Sequence, residues 1–205
     1  MYDINKIQFD IVRTLNEKPD LLIAELAGEL FNDENNINAQ LNELVENGYI
    51  ENGDLTSKAY ELLESHKIDN AIILAAGMST RFTPFNFETP KGLLMIKGEI
   101  LIERQIKQLR EKGIQEIVIV VGHMMEKFEY LKEKFGVVLV ETFDYAEKNN
   151  HASVYAARKF LKNSIISSSD LYFTENIFQA YAFDAYYCTI FIPGKTAERG
   201  IETDE

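Results

Sequence analysis

Apolar residues recur at two different spacings along the chain, and the change from one to the other divides it. Up to about Leu63 the spacing is helical. Ile4, Ile7, Ile11 and Leu15 fall on one face of a predicted first helix. Pro19-Asp20 breaks it, and Leu22, Leu26 and Leu30 form a second short face. A third helix is predicted from about Glu34 to Glu46, with Ile37, Leu41, Leu44 and Val45 on its inner side and Gly48 as its C-cap glycine. Tyr49-Ile50-Glu51-Asn52-Gly53-Asp54-Leu55-Thr56 reads as a short hairpin, because an Asn-Gly pair tolerates the positive φ angles of a tight turn. Thr56 or Ser57 is placed to cap a last helix running through Leu63.

From Ile68 the pattern becomes one of short apolar runs alternating with helical faces. Ala71-Ile72-Ile73-Leu74 is a predicted buried strand, followed by a loop holding Gly77, Pro84 and Pro90. Leu101, Ile102, Ile106 and Leu109 line a helix that ends at Gly113. Ile117-Val118-Ile119-Val120-Val121 is apolar at every position, as a strand covered on both faces of a parallel sheet must be. Met124, Met125, Phe128 and Leu131 mark another helix and Val137-Val138-Leu139-Val140 another strand. Residues 151–161 read as helix, and Ile165-Ile166 open a strand running to Asp170. Strand alternating with helix predicts an α/β unit with a mainly parallel sheet over residues 68–205. The arrangement over residues 1–67, three helices, a small wing and a closing helix, resembles a winged helix-turn-helix. The short junction at His66-Lys67 predicts that the two units lie close together.

Charge sharpens this division. The chain has 205 residues and a net charge of −12, which disfavours general binding to nucleic acid or anionic membranes. Residues 1–67 carry 5 Lys and Arg against 14 Asp and Glu, while residues 68–205 carry 16 against 19. The stretch expected to act as a recognition helix, Asn32 to Asn47, includes Asp33, Glu34, Glu43 and Glu46 and has no basic residue. Despite the winged-helix pattern, DNA binding is therefore not expected, and a protein-protein or intramolecular docking role is. Cys188 is the single cysteine, the N-terminus lacks a signal-peptide pattern, and no apolar run is long enough to span a bilayer. A reducing cytoplasm, away from the membrane, is the expected compartment.

The segment richest in chemistry is Ile72-Ile73-Leu74-Ala75-Ala76-Gly77-Met78-Ser79-Thr80-Arg81, followed by Thr89-Pro90-Lys91-Gly92-Leu93-Leu94. A buried strand ends in small residues, and Gly77 lets backbone approach a ligand closely. Successive N–H groups at such a turn form an anion cradle. Arg81 adds a planar fork of donors and Lys91 a mobile point charge. Strand ends of this kind are where open α/β sheets bind ligands. These parts suit a polyphosphate, although spacing alone fits a surface loop with two solvated cations equally well. The loop matches neither the G-x-x-x-x-G-K-[ST] nor the G-x-G-x-x-G pattern.

Leu74-Ala75-Ala76-Gly77 with Arg81, then Pro90-Lys91 with Leu93, resembles the signature of the sugar-phosphate nucleotidyltransferase superfamily. The wider stretches Ile102-Glu103-Arg104-Gln105-Ile106, Val120-Val121-Gly122-His123, Lys148-Asn149-Asn150 and Ser167-Ser168-Ser169-Asp170 are most similar to bacterial CTP:phosphocholine cytidylyltransferases. The resemblance spans roughly residues 70–195. It departs at Ser79, where many members have a second glycine. It implies a Rossmann-like nucleotidyltransferase domain behind the winged helix-turn-helix, with CTP and phosphocholine as substrates. Residues Leu74, Ala75, Ala76, Gly77, Met78, Ser79, Thr80 and Arg81 would wrap the triphosphate. Arg81 would contact the departing β and γ phosphates, and Lys91 would stabilise charge at the α-phosphate, making these two the catalytic residues. Asp170 would hold Mg²⁺, a hard cation suited to carboxylate and phosphate oxygens. Asn149 and Asn150 would face the base, and Gly122 would let it lie close to backbone, although a loop pair and a strand-end glycine account for these residues too.

The resemblance leaves room for a homo-oligomer. It also implies further strands beyond Glu205, so the chain reads either as C-terminally truncated or as a shortened relative. Nucleotide binding is thus expected of it more than turnover. A nucleotide-sensing module without turnover and a sugar-1-phosphate nucleotidyltransferase are the alternatives. The three histidines, His66, His123 and His151, are expected at surface or packing positions. The aromatic run Tyr181-Ala182-Phe183-Asp184-Ala185-Tyr186-Tyr187 is expected to pack as a strand, the other reading being a face for a quaternary ammonium group.

Overall fold

A computed structural model describes residues 4–77, 88–143 and 150–188 of the chain. The first helix, α1 (Lys6–Glu17), opens on a reciprocal cap: Gln8 N–H donates to Asn5 Oδ1, and Asn5 N–H donates to Gln8 Oε1. Its fully buried face is Phe9, Ile11 and Val12, with Ile4, Ile7 and Leu15 packed at the margin. Helix α2 (Ile23–Glu29) buries Leu26 and Ala27 but leaves Leu22 exposed. Helix α3 (Glu34–Glu46) is capped by Asp33, whose carboxylate accepts from Asn36 N–H at 3.0 Å, and it buries Ile37 and Leu44. Val45, expected on the inner side, is exposed.

Gly48 takes φ +72° beyond the end of α3. The wing pairs β1 (Ile50–Glu51) with β2 (Asp54–Leu55) around Asn52 and Gly53, which have φ 52° and 90°. Thr56 precedes α4 (Ser57–Ser65) but makes no side-chain cap; its hydroxyl donates instead to Gly48 O at 2.7 Å, tying the wing to the end of α3.

The larger unit is built on four parallel strands in the order β7-β6-β3-β8: β3 (Asn70–Ala75), β6 (Glu116–Val121), β7 (Val138–Glu141) and β8 (Ser164–Ser168). Between β3 and β6 lie a small antiparallel hairpin, β4 (Met95–Ile96) with β5 (Glu99–Ile100), and helix α5 (Leu101–Glu111). A 3-10 turn, Met125–Phe128, and α6 (Tyr130–Phe135) link β6 to β7, and α7 (Asn150–Ala156) precedes β8.

Strand alternation divides the central residues between two covered faces. Ala71, Ile73, Ala75, Ile117, Ile119 and Val121 join Ile102, Ile106 and Leu109 of α5 and Leu131 of α6 in one core. Ile72, Val118 and Val120 pack on the opposite side with Ala157. Both faces of the two central strands are thus covered, as their apolar runs required, while Val138 of β7 and Ile166 of β8 are exposed at the edges. No helix among the described residues is long and apolar enough to cross a membrane.

The two units share one packed segment. Tyr181 and Phe183 join the core of the N-terminal unit, and the Phe183 ring stacks on His66 at 5.8 Å and 9° while lying 5.4 Å from Phe9. Backbone bonds from Ile68 N to Ala180 O (2.8 Å) and from Ala182 N to His66 O (3.0 Å) run beside it. The run is therefore not a regular strand: Tyr181 and Phe183 pack between the units, while Tyr186 and Tyr187 are exposed. His66 takes the packing role expected of it.

Candidate functional site

The strand order fixes where the chemistry gathers. After β3 the chain adds β6 and then β7 on one side, and it returns to the other side of β3 for β8. The carboxyl ends of β3 and β8 therefore flank the switch point of the sheet, where crossovers diverge and leave a crevice. The register pairs Leu74 with Ser168, and one further bond, Ser169 N to Leu74 O at 3.0 Å, carries the pairing past β8. Gly77 lies just beyond β3 and is exposed, and a Cβ built there meets nothing within 4 Å. Its lack of a side chain is not imposed by packing against the described residues.

A second glycine is required by packing. The 3-10 turn Lys91–Leu93 brings Gly92 so close to the end of β8 that an added Cβ would lie 2.8 Å from Ser169 Cβ. This approach brings Lys91 to Asp170. Lys91 Nζ donates to Asp170 Oδ2 at 3.3 Å, and Ser168 Oγ donates to Asp170 Oδ1 at 2.6 Å. Burial pushes the Asp170 carboxyl up, but the Ser168 hydrogen bond and then the hydrogen bond and charge of Lys91 outweigh it, and the balance holds its pKa below the usual value. Asp170 is accordingly ionised at neutral pH. Its side chain keeps 35% of its surface exposed and that of Lys91 keeps 17%, so both groups remain reachable from solvent.

The strand end carrying Asp170 is held from behind by α5. Gln105 is 1% exposed, and its Nε2 donates to both Ser168 O (2.9 Å) and Leu171 O (3.0 Å), while its Oε1 accepts from Ser167 Oγ at 3.0 Å. Arg104 Nε donates to Phe173 O at 2.8 Å and Arg104 Nη2 to Thr174 O at 2.9 Å. On the other flank of β3, His123 N donates to Ala76 O at 3.3 Å and ties the loop after β6 to the loop after β3. Gly122 is buried between β6 and that contact. Lys127 Nζ donates to Glu88 O, fastening the segment before Pro90.

The expected site residues thus divide. Leu74, Ala75, Ala76, Gly77, Lys91, Gly122 and Asp170 lie at or just beyond the carboxyl ends of β3, β6 and β8. Lys91 and Asp170, 79 positions apart, are in direct contact. Asn150 is the first residue of α7. Met78, Ser79, Thr80, Arg81 and Asn149 lie outside the described residues. Sequence reasoning gave no role to Gln105, Ser168 or Gly92. A glutamine on the apolar face of α5, between Ile102 and Ile106, was the available signal, since a buried amide needs partners.

Among the described residues there is no group of three or more His, Cys, Asp or Glu side chains able to enclose a metal. A closed metal cage is therefore not what these residues offer. A single ionised carboxylate is the donor set of a magnesium site completed by phosphate oxygens and water, which uses one or two carboxylates.

Comparison with known proteins gives two family matches. The MobA-like NTP transferase domain matches residues 71–200, and a winged helix-turn-helix DNA-binding model matches residues 4–51. The choline-phosphate cytidylyltransferase of Streptococcus pneumoniae is 48% identical over 109 residues, covering 53% of this chain and 48% of that protein. The 2-aminoethylphosphonate cytidylyltransferase of Lancefieldella rimae is 39% identical over 140 residues, covering 66% of this chain and 57% of its own length. The chain thus spans about half the length of the curated relatives it matches. The solved structure of CTP:phosphocholine cytidylyltransferase from Streptococcus pneumoniae superposes with a TM-score of 0.54 at 46% identity, over 56% of this chain and 50% of that one.

Proposed function

Since the chain belongs to the family of MobA-like NTP transferase domains, we propose that it binds CTP at the switch point of its sheet and serves the transfer of CMP to phosphocholine, with release of pyrophosphate. The observation that carries this reading is the meeting of Lys91 and Asp170 beside the end of β3. A cation and a carboxylate side by side, both reachable from solvent, can hold a nucleotide phosphate and its counter-ion together. Choline phosphate is favoured over other acceptors by the 48% identity to the pneumococcal enzyme that is named for it. The relative named for 2-aminoethylphosphonate has a phosphonate on a similar aminoethyl arm, which makes it the natural competing acceptor.

Each group has one task. The backbone from Leu74 to Gly77 leads into the phosphate cradle, and Arg81 binds the β and γ phosphates that depart. Lys91 leaves Asp170 for the α-phosphate and stabilises the charge that grows there during in-line attack by the acceptor phosphate. Asp170, ionised and steadied by Ser168, would be the residue that holds Mg²⁺ beside the nucleotide. When bound, the magnesium ion neutralises phosphate charge. Asn149 and Asn150 read the pyrimidine edge, and Gly122 lets the base lie against backbone. No covalent enzyme intermediate is needed, so positioning and charge stabilisation make up the chemistry.

The test is pyrophosphate release by the whole chain with Mg²⁺, each nucleoside triphosphate in turn, and phosphocholine, 2-aminoethylphosphonate or glucose 1-phosphate as acceptor. The expected result is release that needs CTP and is greatest with phosphocholine. Lys91→Ala is expected to lower it roughly 10²–10³-fold while the melting temperature changes little. Full release by the variant would remove Lys91 from the mechanism. CTP binding with no release from any acceptor would favour the sensing module.

A further inference from the structure

We infer that Gln105 is a positioning residue that sets the Asp170 carboxylate for its cation. This rests on Asp170 facing the nucleotide's counter-ion. Asp170 stands two residues past β8, where regular strand pairing has ended, so the ladder that fixes β8 no longer fixes it. The last bond of that pairing, Ser169 N to Leu74 O, stops one residue short of Asp170, and what clamps the backbone around it is one buried amide. Gln105 Nε2 bridges Ser168 O on one side of Asp170 and Leu171 O on the other, and thereby clamps the backbone on both sides of the carboxylate. Ser167 Oγ donates to Gln105 Oε1, which fixes the sense of the amide and turns its two donors toward the strand end.

The position on α5 explains why the amide can do this. Ile102, Ile106 and Leu109 bury the helix face that packs on the sheet. Gln105 lies on that buried side and is 1% exposed, so its rotamer is held by packing. Arg104 holds Phe173 O and Thr174 O, further along the chain, and has no bond to either neighbour of Asp170. Two tasks are therefore divided between adjacent residues. Arg104 fastens the loop, and Gln105 aims the carboxylate.

Residues that orient a metal-binding carboxylate without touching the ion tune how tightly the metal is held. Their loss costs roughly 10–100-fold in metal affinity. The experiment measures CTP affinity of the whole chain by calorimetry, in Mg²⁺ and again in EDTA, for the native protein, Gln105→Met, Ser167→Ala and Asp170→Asn. Methionine keeps the length and the buried volume and removes both donors. The ratio of the two affinities is the readout, because a generally loosened fold would weaken both and leave the ratio unchanged.

Gln105→Met is expected to lower the Mg²⁺-dependent gain about tenfold or more with the EDTA affinity kept, and Ser167→Ala to lower it a few-fold in the same sense. An unchanged ratio in a folded Gln105→Met protein, or equal losses in both conditions, overturns the inference. Should Gln105→Met fail to fold, Ser167→Ala decides: a reduced ratio supports the positioning role and an unchanged one removes it. Asp170→Asn separates the two levels. If it leaves the Mg²⁺ gain intact, the reading of Asp170 itself fails. If it abolishes the gain while the Gln105 and Ser167 variants do not, only the role of Gln105 falls.

Discussion

A single missing methyl group decides how close the lysine loop comes to the strand end. At Gly92 a Cβ would sit 2.8 Å from Ser169 Cβ and 3.4 Å from Ser169 O, and backbone cannot swing aside as the tip of a long side chain can. Gly92→Ala is therefore expected to cost about 1–3 kcal/mol, as overpacking does, and to part Lys91 from Asp170. Chemical denaturation gives the first quantity. A loss of CTP affinity alongside it gives the second, and an alanine variant of native stability would show that the loop relaxes freely. Asp170 adds a pH signature. Its folded pKa lies below the unfolded value of about 3.9, so its contribution to stability is fully present above that value and is lost as pH falls through the folded pKa. The stability gap between native protein and Asp170→Asn should hold steady from neutrality down to about pH 5 and close only as pH falls below the ordinary carboxylate range. A gap that widens on acidification would contradict the direction of the shift. Of these residues, Lys91 was legible because a cation following a glycine-bearing strand end suggests a phosphate, and Asp170 through the family resemblance. Gly92 and Ser168 were not: the importance of Gly92 comes from its approach to Ser169, 77 positions away, and a serine two residues before an aspartate does not announce a hydrogen bond to it.

The elements were the most legible level, and their exceptions are instructive. The two central strands, β3 and β6, fall on apolar runs, since a strand covered on both faces has few polar positions to interrupt it, whereas the edge strand β8 holds three serines in its five residues. The β4–β5 hairpin escaped notice. It turns on Lys97 and Gly98, with φ 51° and 84°, and a lysine is a poor signal for the positive φ that such a turn requires. The helix expected from Met124 is interrupted, because Met124 takes φ 54° and a 3-10 turn intervenes before α6. Helix α3 carries the prediction at this scale. It stands in the recognition position of a winged helix-turn-helix, yet the side chains it exposes include Glu34, Asn35, Asn38, Asn42, Glu43 and Glu46, and no Lys or Arg lies along it. Contact with a duplex depends on cations that displace condensed counter-ions, and this face has none to offer. A mobility-shift assay with the whole chain at low salt is expected to show no complex at micromolar protein, the concentration at which general DNA binding sets in. A shifted band that weakens as salt rises would show instead that cations elsewhere in the chain reach the duplex.

At the scale of the whole molecule, the segment that leaves Asp170 also joins the two units. From Leu171 it runs along α5, where Gln105, Arg104 and Gln108 hold its carbonyls and Asn176 donates to Gln108 O at 2.7 Å. It then buries Phe178 in the larger core, accepts Arg13 of α1 at Gln179 Oε1 (2.6 Å), and inserts Phe183 beside Phe9 and His66. A second tie, Lys112 to Glu17 at 2.8 Å, joins the end of α5 to the end of α1. Closeness of the units was legible from the short junction. The clasp was not, because nothing in an aromatic run states which surface it will cover. Exposed ion pairs contribute about 0–1 kcal/mol, so the apolar contact of Phe183 is expected to dominate the docking. Phe183 is only partly buried, and its truncation should cost less than the about 3–5 kcal/mol of a core phenylalanine. That is expected to be enough to uncouple the units while leaving the fully buried residues of each core in place. In scanning calorimetry the native chain is expected to unfold in one transition, because the clasp makes the melting of either core expose surface of the other. Phe183→Ala should divide this into two, the N-terminal unit melting first. Its core is the smaller, and it alone loses an aromatic neighbour. A single unshifted transition in the variant would mean that the junction and the charged ties hold the units together without the ring.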